Sequence, residues 1–250
     1  MHYYARDGSS MHEVIGKNGR KRPTTIRDAR ALQLVPSVTT IMDGQSKPAL
    51  INWLQNQILA AAIKFPFTLG EDDEIQWKKA IVRLSKEVGE KAARRGNIIH
   101  DSMEKYFRTG EFDGYKRFTQ YAVDVVHQNF PNYTWVPEAS FAHKGGFGGR
   151  VDLYGYDSEG NYVIVDFKTK DKADIKDMVQ YDDHKIQLAA YQEGLQLPSN
   201  TRRFNLFISV HDDSPGLCSL IECKQFDKFR DYFYALVKVW QIKNSYIPEI

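Results

Sequence analysis

One run, Gly149 to Lys168 (GRVDLYGYDSEGNYVIVDFK), constrains the fold more tightly than any other part of the chain. Two apolar, alternating segments flank the turn-forming cluster Asp157-Ser158-Glu159-Gly160-Asn161, and that order specifies a β-hairpin. Residues two apart in a strand share a face, so Ile164, Asp166 and Lys168 point one way and Val163, Val165 and Phe167 the other. Asp152 stands at the start of the first strand and Asp166 at the end of the second. In an antiparallel hairpin those ends are neighbours, so the two carboxylates can meet there, with an ammonium two residues on. Strands as apolar as VIVDF do not bury two acids and a lysine without a use for them. Closely held oxygen ligands suit a hard divalent cation such as Mg²⁺ or Mn²⁺. A cation and a lysine together stabilise charge on a phosphate under attack. The bland alternative for a D-x-K at a strand end is a surface ion pair.

Val151-Asp152 followed by Asp166-Phe167-Lys168 resembles the core of the PD-(D/E)XK nuclease superfamily, with Val-Asp where Pro-Asp is usual. Two further elements are similar to its RecB-type exonuclease branch. Gly96-Asn97-Ile98-Ile99-His100 matches the G-x-x-x-H helix of that branch, and Gln187 with Tyr191 matches its Q-x-x-x-Y element. The four elements follow one another in the expected order between Gly96 and Leu195. Val35-Pro36-Ser37-Val38-Thr39-Thr40 and the helix after it look more loosely like the N-terminal part of phage-type exonucleases similar to the mitochondrial genome maintenance exonuclease.

The resemblance implies an α/β fold: a central mixed β-sheet flanked by helices, the restriction-endonuclease-like core, with a helical N-terminal region. It implies that His100, Asp152, Asp166 and the backbone carbonyl of Phe167 hold Mg²⁺ or Mn²⁺. Lys168 would orient the attacking water or stabilise developing charge, so Asp152, Asp166 and Lys168 carry the chemistry. Gln187 and Tyr191 would position the strand, with Arg94, Arg95 and an N-terminal basic segment on phosphates. Relatives in this branch mostly degrade strands from a terminus. The expected activity is therefore metal-dependent exonuclease cleavage of single-stranded or flap DNA, with little sequence preference. A site-specific or structure-specific endonuclease would share the core chemistry, and a non-catalytic nucleic-acid-binding module would share the fold. The first needs a base-reading element that the sequence does not display, and the second would lose the acids.

Composition sets outer bounds. A chain of 250 residues buries one substantial core or two small ones, and 42% hydrophobic with 26% charged residues is ordinary for a soluble globular protein. No run approaches the roughly 18 apolar residues of a membrane span, and the start lacks the order of a secretory or transit signal. Net charge is only +2, so affinity for DNA must come from local patches. Cys218 and Cys223 are the only cysteines, which excludes a four-thiolate iron–sulfur cluster and the cysteine-cluster relatives associated with CRISPR adaptation. Reduced thiols point to a cytoplasmic setting, in a bacterial or phage-infected cell.

Residues 1–75 lie outside the core motifs and read as an N-terminal basic arm and helical cap, with 76–250 as the nuclease core. Residues 1–35 look polar and irregular. Within them Lys17, Arg20, Lys21, Arg22, Arg27 and Arg30 face a single Asp28, which fits either a phosphate-tracking segment or a solvated arm or hairpin. Ser37 and Thr39 precede a helix, where they can cap it or hold a phosphate at its exposed N–H groups. Helical spacing runs from Ile75 to Phe107, with Gly89 and Gly96 allowing two helices or one bent one. His100 shares a face with Met103 and Phe107, a core position unless it is a ligand, and Glu104 follows one turn on. A strand from Trp135 to Phe141 carries Glu138, readable as a further acidic ligand or as a solvent-facing residue. It turns back through HKGGFGG, where four glycines permit sharp geometry.

Overall fold

The computed structural model describes residues 1–248. The chain opens with β1 (Tyr3–Tyr4), the hairpin β2 (Glu13–Ile15) and β3 (Lys21–Pro23), α1 (Ile26–Leu32), β4 (Val35–Pro36) and α2 (Val38–Met42). This region is not irregular. β1 pairs antiparallel with β4, and Tyr3, Ala29, Leu34, Val38 and Ile41 are buried in the main core. A few anchors scattered among polar residues define it, and no local periodicity announces them. The basic segment is divided between β2–β3 and α1. Asp28 ties it down, accepting two bonds from the Arg22 guanidinium at 2.7 and 2.8 Å while completing a capping box with Thr25.

Next come α3 (Pro48–Lys64) and α4 (Glu74–Thr109), the latter continuous through Gly89 and Gly96. The chain forms two compact units, Met1–Gln45 with the chain from Ile99 onward, and Ser46–Ile98. The division falls inside α4. In the smaller unit Pro48 sits at the first turn of α3, where its missing N–H costs nothing, and Trp77 Nε1 donates to the Phe65 carbonyl at 2.8 Å. Among the described residues no helix is long and apolar enough to cross a membrane.

The larger unit continues with α5 (Lys116–Asn129), β5 (Thr134–His143), β6 (Phe147–Tyr156), β7 (Tyr162–Lys170), α6 (Asp182–Gly194), β8 (Arg202–Ser209), β9 (Cys218–Glu222) and α7 (Phe226–Asn244). The five strands form one sheet in the order β5-β6-β7-β8-β9. All neighbours are antiparallel except β7 and β8, which run parallel because α6 carries the chain back across the sheet. Helices cover both faces, giving the expected mixed α/β architecture. On one face Val151 and Ile164 pack with Ile186 and Ala189 of α6, Phe229 and Phe233 of α7, and the N-terminal anchors. On the other, Val163, Val165 and Phe167 pack with Ile99 and Met103 of α4 and with Phe118, Ala122 and Val126 of α5. Each buried Val, Ile, Met or Phe among these contributes about 1.5–3 kcal/mol by leaving water, and the alanines less.

Strand alternation breaks at one level of the sheet. Val151 and Leu153 are two apart in β6, yet Val151 belongs to the α6–α7 cluster and Leu153 to the α4–α5 cluster. Across from them Pro137 pairs with Leu153 and Ala139 with Val151, leaving Glu138 level with Asp152. Glu138 has φ 55°, a left-handed conformation that a residue with a Cβ adopts only when its surroundings impose it. The glycines of the preceding turn serve two purposes. Gly146 (φ 84°) makes the turn, whereas a Cβ on Gly149 would lie 2.7 Å from the Phe141 ring.

Candidate functional site

The last pair of β6 and β7 in register is Leu153 with Val165. One step further the strands part, and Asp152 and Asp166 stand at the same level at the mouth of the opening. The separation is bridged by a side chain in place of a ladder bond: the Phe167 N–H donates to Asp152 Oδ2 at 2.7 Å. His100, on the first turn of α4 within the larger unit, brings Nδ1 to 3.4 Å from the same oxygen and sets its ring edgewise against Phe167. On the other strand Lys168 Nζ lies 2.6 Å from Asp166 Oδ2. The ammonium also donates to Gln187 Oε1 at 2.9 Å, and Gln187 Nε2 donates to the Tyr191 hydroxyl at 2.7 Å. Gln187 and Tyr191 share one face of α6, as their spacing of four requires. His100 and Asp152 thus form one linked group, and Asp166, Lys168, Gln187 and Tyr191 a second, the two acting on each other through charge.

Burial governs the charges here. Asp166 is pushed up to about 6, first by burial and then by the neighbouring Asp152 charge, against the pull of Lys168. Burial also works to raise Asp152, but His100, Lys168 and the Phe167 N–H outweigh it and hold that carboxyl below its ordinary value. Burial opposes charge on Lys168 and on His100, yet the two carboxylates prevail and both are raised. The pair of acids therefore divides the load, Asp152 ionised and Asp166 the reluctant partner. Tyr191 keeps its proton well above the usual range, through burial and then the Asp166 and Asp152 charges.

The remaining residues singled out from sequence are spread more widely. Glu138 forms an ion pair with Arg150, and it is pushed up to about 7 by burial and by the charges of Asp152 and Glu104. It is level with Asp152 rather than out in solvent. Glu104, one turn beyond His100, pairs with Arg108 at 2.6 Å. Ser37 is buried and caps α2, accepting from the Thr40 N–H at 3.0 Å, while Thr39 is exposed beside it with 2.9 Å between the hydroxyl oxygens. Arg94 and Arg95 belong to the smaller unit, where Arg94 pairs with Glu90 at 3.6 Å.

Three residues at the site went unread in the sequence. Asn205 of β8 pairs in register with Asp166 and donates to its Oδ2 at 2.7 Å. Gln180, ahead of α6, donates to Asn205. The signal was present in RRFNLFIS, an amide amid apolar strand residues. His184 sits near Lys168 and is pushed down to about 4 by burial and that charge.

Among the described residues no three His, Cys, Asp or Glu side chains converge into a finished metal-binding cluster. The donors nevertheless suit a hard cation: an imidazole 3.4 Å from the Asp152 carboxylate, with the Asp166 and Glu138 carboxylates on the neighbouring strands at the same level. A buried carboxyl raised to about 6 beside an ionised one is a concentration of negative charge that a divalent cation relieves.

No family model matches the chain, and no curated protein matches it. Among solved structures the chain is similar to SSO0001, with 13% identity, 77% of this chain and 86% of that one covered, and a TM-score of 0.34. It is similar to a putative exonuclease from Eubacterium rectale, with 16% identity, 60% and 68% covered, and a TM-score of 0.37. It is also similar to an alkaline exonuclease from Laribacter hongkongensis, with 12% identity, 78% and 92% covered, and a TM-score of 0.37.

Proposed function

We propose that this chain is a metal-dependent exonuclease that hydrolyses phosphodiester bonds at single-stranded or flap DNA ends. The observation that carries the reading is the pair Asp152 and Asp166, side by side where β6 and β7 part, with Lys168 Nζ 2.6 Å from Asp166. His100, Asp152, Asp166 and the Phe167 carbonyl would hold Mg²⁺ or Mn²⁺. When bound, the cation supplies a Lewis acid for the phosphoryl oxygen and lowers the pKa of water. Lys168, held between Asp166 and Gln187, presents a charged donor to the attacking water or to the oxygens that gain charge. Gln187 and Tyr191 hold the strand in line with that ammonium. Arg94, Arg95, Thr39 and the basic residues between Lys17 and Arg30 supply phosphate contacts, which position a strand without reading its bases, while the buried Ser37 serves as the cap of α2. Glu138 and Glu104 add negative charge that strengthens the attraction for the cation. Such an enzyme works where thiols stay reduced, in the cytoplasm of a bacterial or phage-infected cell.

The test is a matched pair of single-stranded DNA substrates, one linear and end-labelled, the other closed into a circle, with and without Mg²⁺. Cation-dependent shortening of the linear strand with the circle intact is expected. Rapid cutting of the circle refutes the end requirement, and no cleavage of either with Mg²⁺ or Mn²⁺ refutes the enzyme.

A further inference from the structure

Asn205 is fully buried in β8 between Phe204 and Leu206. A primary amide in such a place must have its donors and its acceptor answered. Its Nδ2 donates to Asp166 Oδ2 at 2.7 Å, and its Oδ1 accepts from Gln180 Nε2 at 2.8 Å. Gln180 Nε2 also lies 3.4 Å from the Ile221 carbonyl on β9. The direction of this relay follows from the groups themselves. An amide nitrogen only donates, so Gln180 selects the oxygen of Asn205 and turns its NH₂ toward the carboxylate.

The consequence falls on one oxygen of Asp166. Lys168 Nζ and Asn205 Nδ2 both meet Oδ2, which fixes the rotation of the carboxylate. Both of these contacts fall on Oδ2, and neither engages Oδ1. Lys168 alone is a flexible point charge and would permit several rotations; the buried amide removes that freedom.

We propose that Asn205, oriented by Gln180, is a positioning residue that sets the rotation of the Asp166 carboxylate so that Oδ1 stays open to a divalent cation. The proposal rests on the nuclease reading and adds a determinant of cation affinity on a strand that carries none of the recognised motifs. Partners that orient a ligand in this way typically carry a 10–100-fold share of metal affinity or activity, an order of magnitude to expect here.

The experiment uses the full chain, stripped of metal. Calorimetry measures Mn²⁺ binding without DNA, and steady-state cleavage of a linear single strand gives kcat and KM. The variants are Asn205→Leu, Gln180→Leu and Gln180→Glu, each checked by circular dichroism and thermal unfolding. Asn205→Leu should weaken Mn²⁺ roughly 10-fold or more and lower kcat with KM for DNA unchanged. Gln180→Glu is the sharper arm. A carboxylate accepts, so it draws the Asn205 NH₂ to itself and turns Oδ1 against Asp166. Mn²⁺ affinity should then fall although a negative charge has been added nearby. Gln180→Leu, which leaves Asn205 able to donate but unguided, should fall between that variant and the parent. Gln180 is partly exposed, so its variants remain informative if Asn205→Leu does not fold. Lower thermal stability with parental Mn²⁺ affinity in the Gln180 variants would overturn the proposal and make the relay a structural one. A parent chain that binds no Mn²⁺ defeats the nuclease reading and this inference together, whereas a parent that binds and variants that bind equally defeat the inference alone.

Discussion

Phe167 and Asp152 are joined across the opening of the hairpin, the N–H of one donating to Oδ2 of the other at 2.7 Å. A carboxylate here stands in for the ladder bond that the parting strands no longer make, so Asp152 serves the backbone as well as the candidate cation site.

That dual role sets the choice of variant. Asp152→Asn keeps an acceptor for the Phe167 N–H and should fold with near-parental thermal stability, while Mn²⁺ binding by calorimetry falls at least about 10-fold. Asp152→Leu removes the acceptor too and leaves a buried N–H unanswered, costing on the order of 1–3 kcal/mol in urea unfolding. Parental Mn²⁺ affinity in the Asn variant would remove Asp152 from the ligand set.

Asp166 and Lys168 sustain each other in a buried setting, so alanine at either strands the other. Asp166→Asn and Lys168→Met keep the volume, and both should lower kcat by about 10²-fold or more if each supports charge in the transition state. Circular dichroism separates lost chemistry from lost fold. Activity within a few-fold of the parent in either variant would sink the assignment.

His100 rests 3.4 Å from Asp152 and edgewise on Phe167, a geometry that serves a ligand or a packed core ring. His100→Ala should weaken Mn²⁺ binding while leaving Asp152 in place. Unchanged Mn²⁺ affinity with lower thermal stability would make the histidine structural.

Glu138 is one source of the metal-free chain's response to pH. Its folded pKa is raised from 4.5 to about 7, by burial first and then by Asp152 and Glu104. Between those values the folded state holds more protons than the unfolded one, so stability falls as pH rises. Asp166, raised from 3.8 to about 6, adds the same sign over its own window. Raised His100 also contributes stability below its ordinary pKa that is lost as pH increases. His184, pushed down to about 4 by burial, acts oppositely as pH falls below 6.5, as do the lowered His2, His12 and His143, and depressed Asp152 does so only below about 3.8. The Glu138 share is therefore read as the difference between the parent and Glu138→Gln in urea unfolding in EDTA, measured at pH 5 and at pH 8. Glu138→Gln should recover on the order of 1–2 kcal/mol at the higher pH, and saturating Mn²⁺ should flatten the profile. A Glu138→Gln variant that gains nothing relative to the parent between pH 5 and pH 8 contradicts the raised Glu138 carboxyl.

The basic side chains give a salt signature. Cleavage of a linear single strand at subsaturating DNA should slow steeply between 50 and 200 mM salt, since each phosphate contact releases condensed counterions. A rate insensitive to salt would exclude the arginines and the Lys17–Arg30 segment from binding.

The hairpin, its turn and the meeting of Asp152 with Asp166 were determined by the sequence itself. Period-two alternation and a turn-forming cluster act over a few residues, and an antiparallel hairpin brings its open ends together. The shared face of Gln187 and Tyr191 was legible for the same reason, since the helical repeat places residues four apart together. Only the tertiary structure decided that Asn205 pairs with Asp166, because β7 and β8 are parallel and their register depends on where α6 returns the chain. The left-handed Glu138 and the change of face between Val151 and Leu153 were equally hidden. They arise where two clusters on opposite faces compete for neighbouring residues, a competition between distant parts of the chain that no local pattern records.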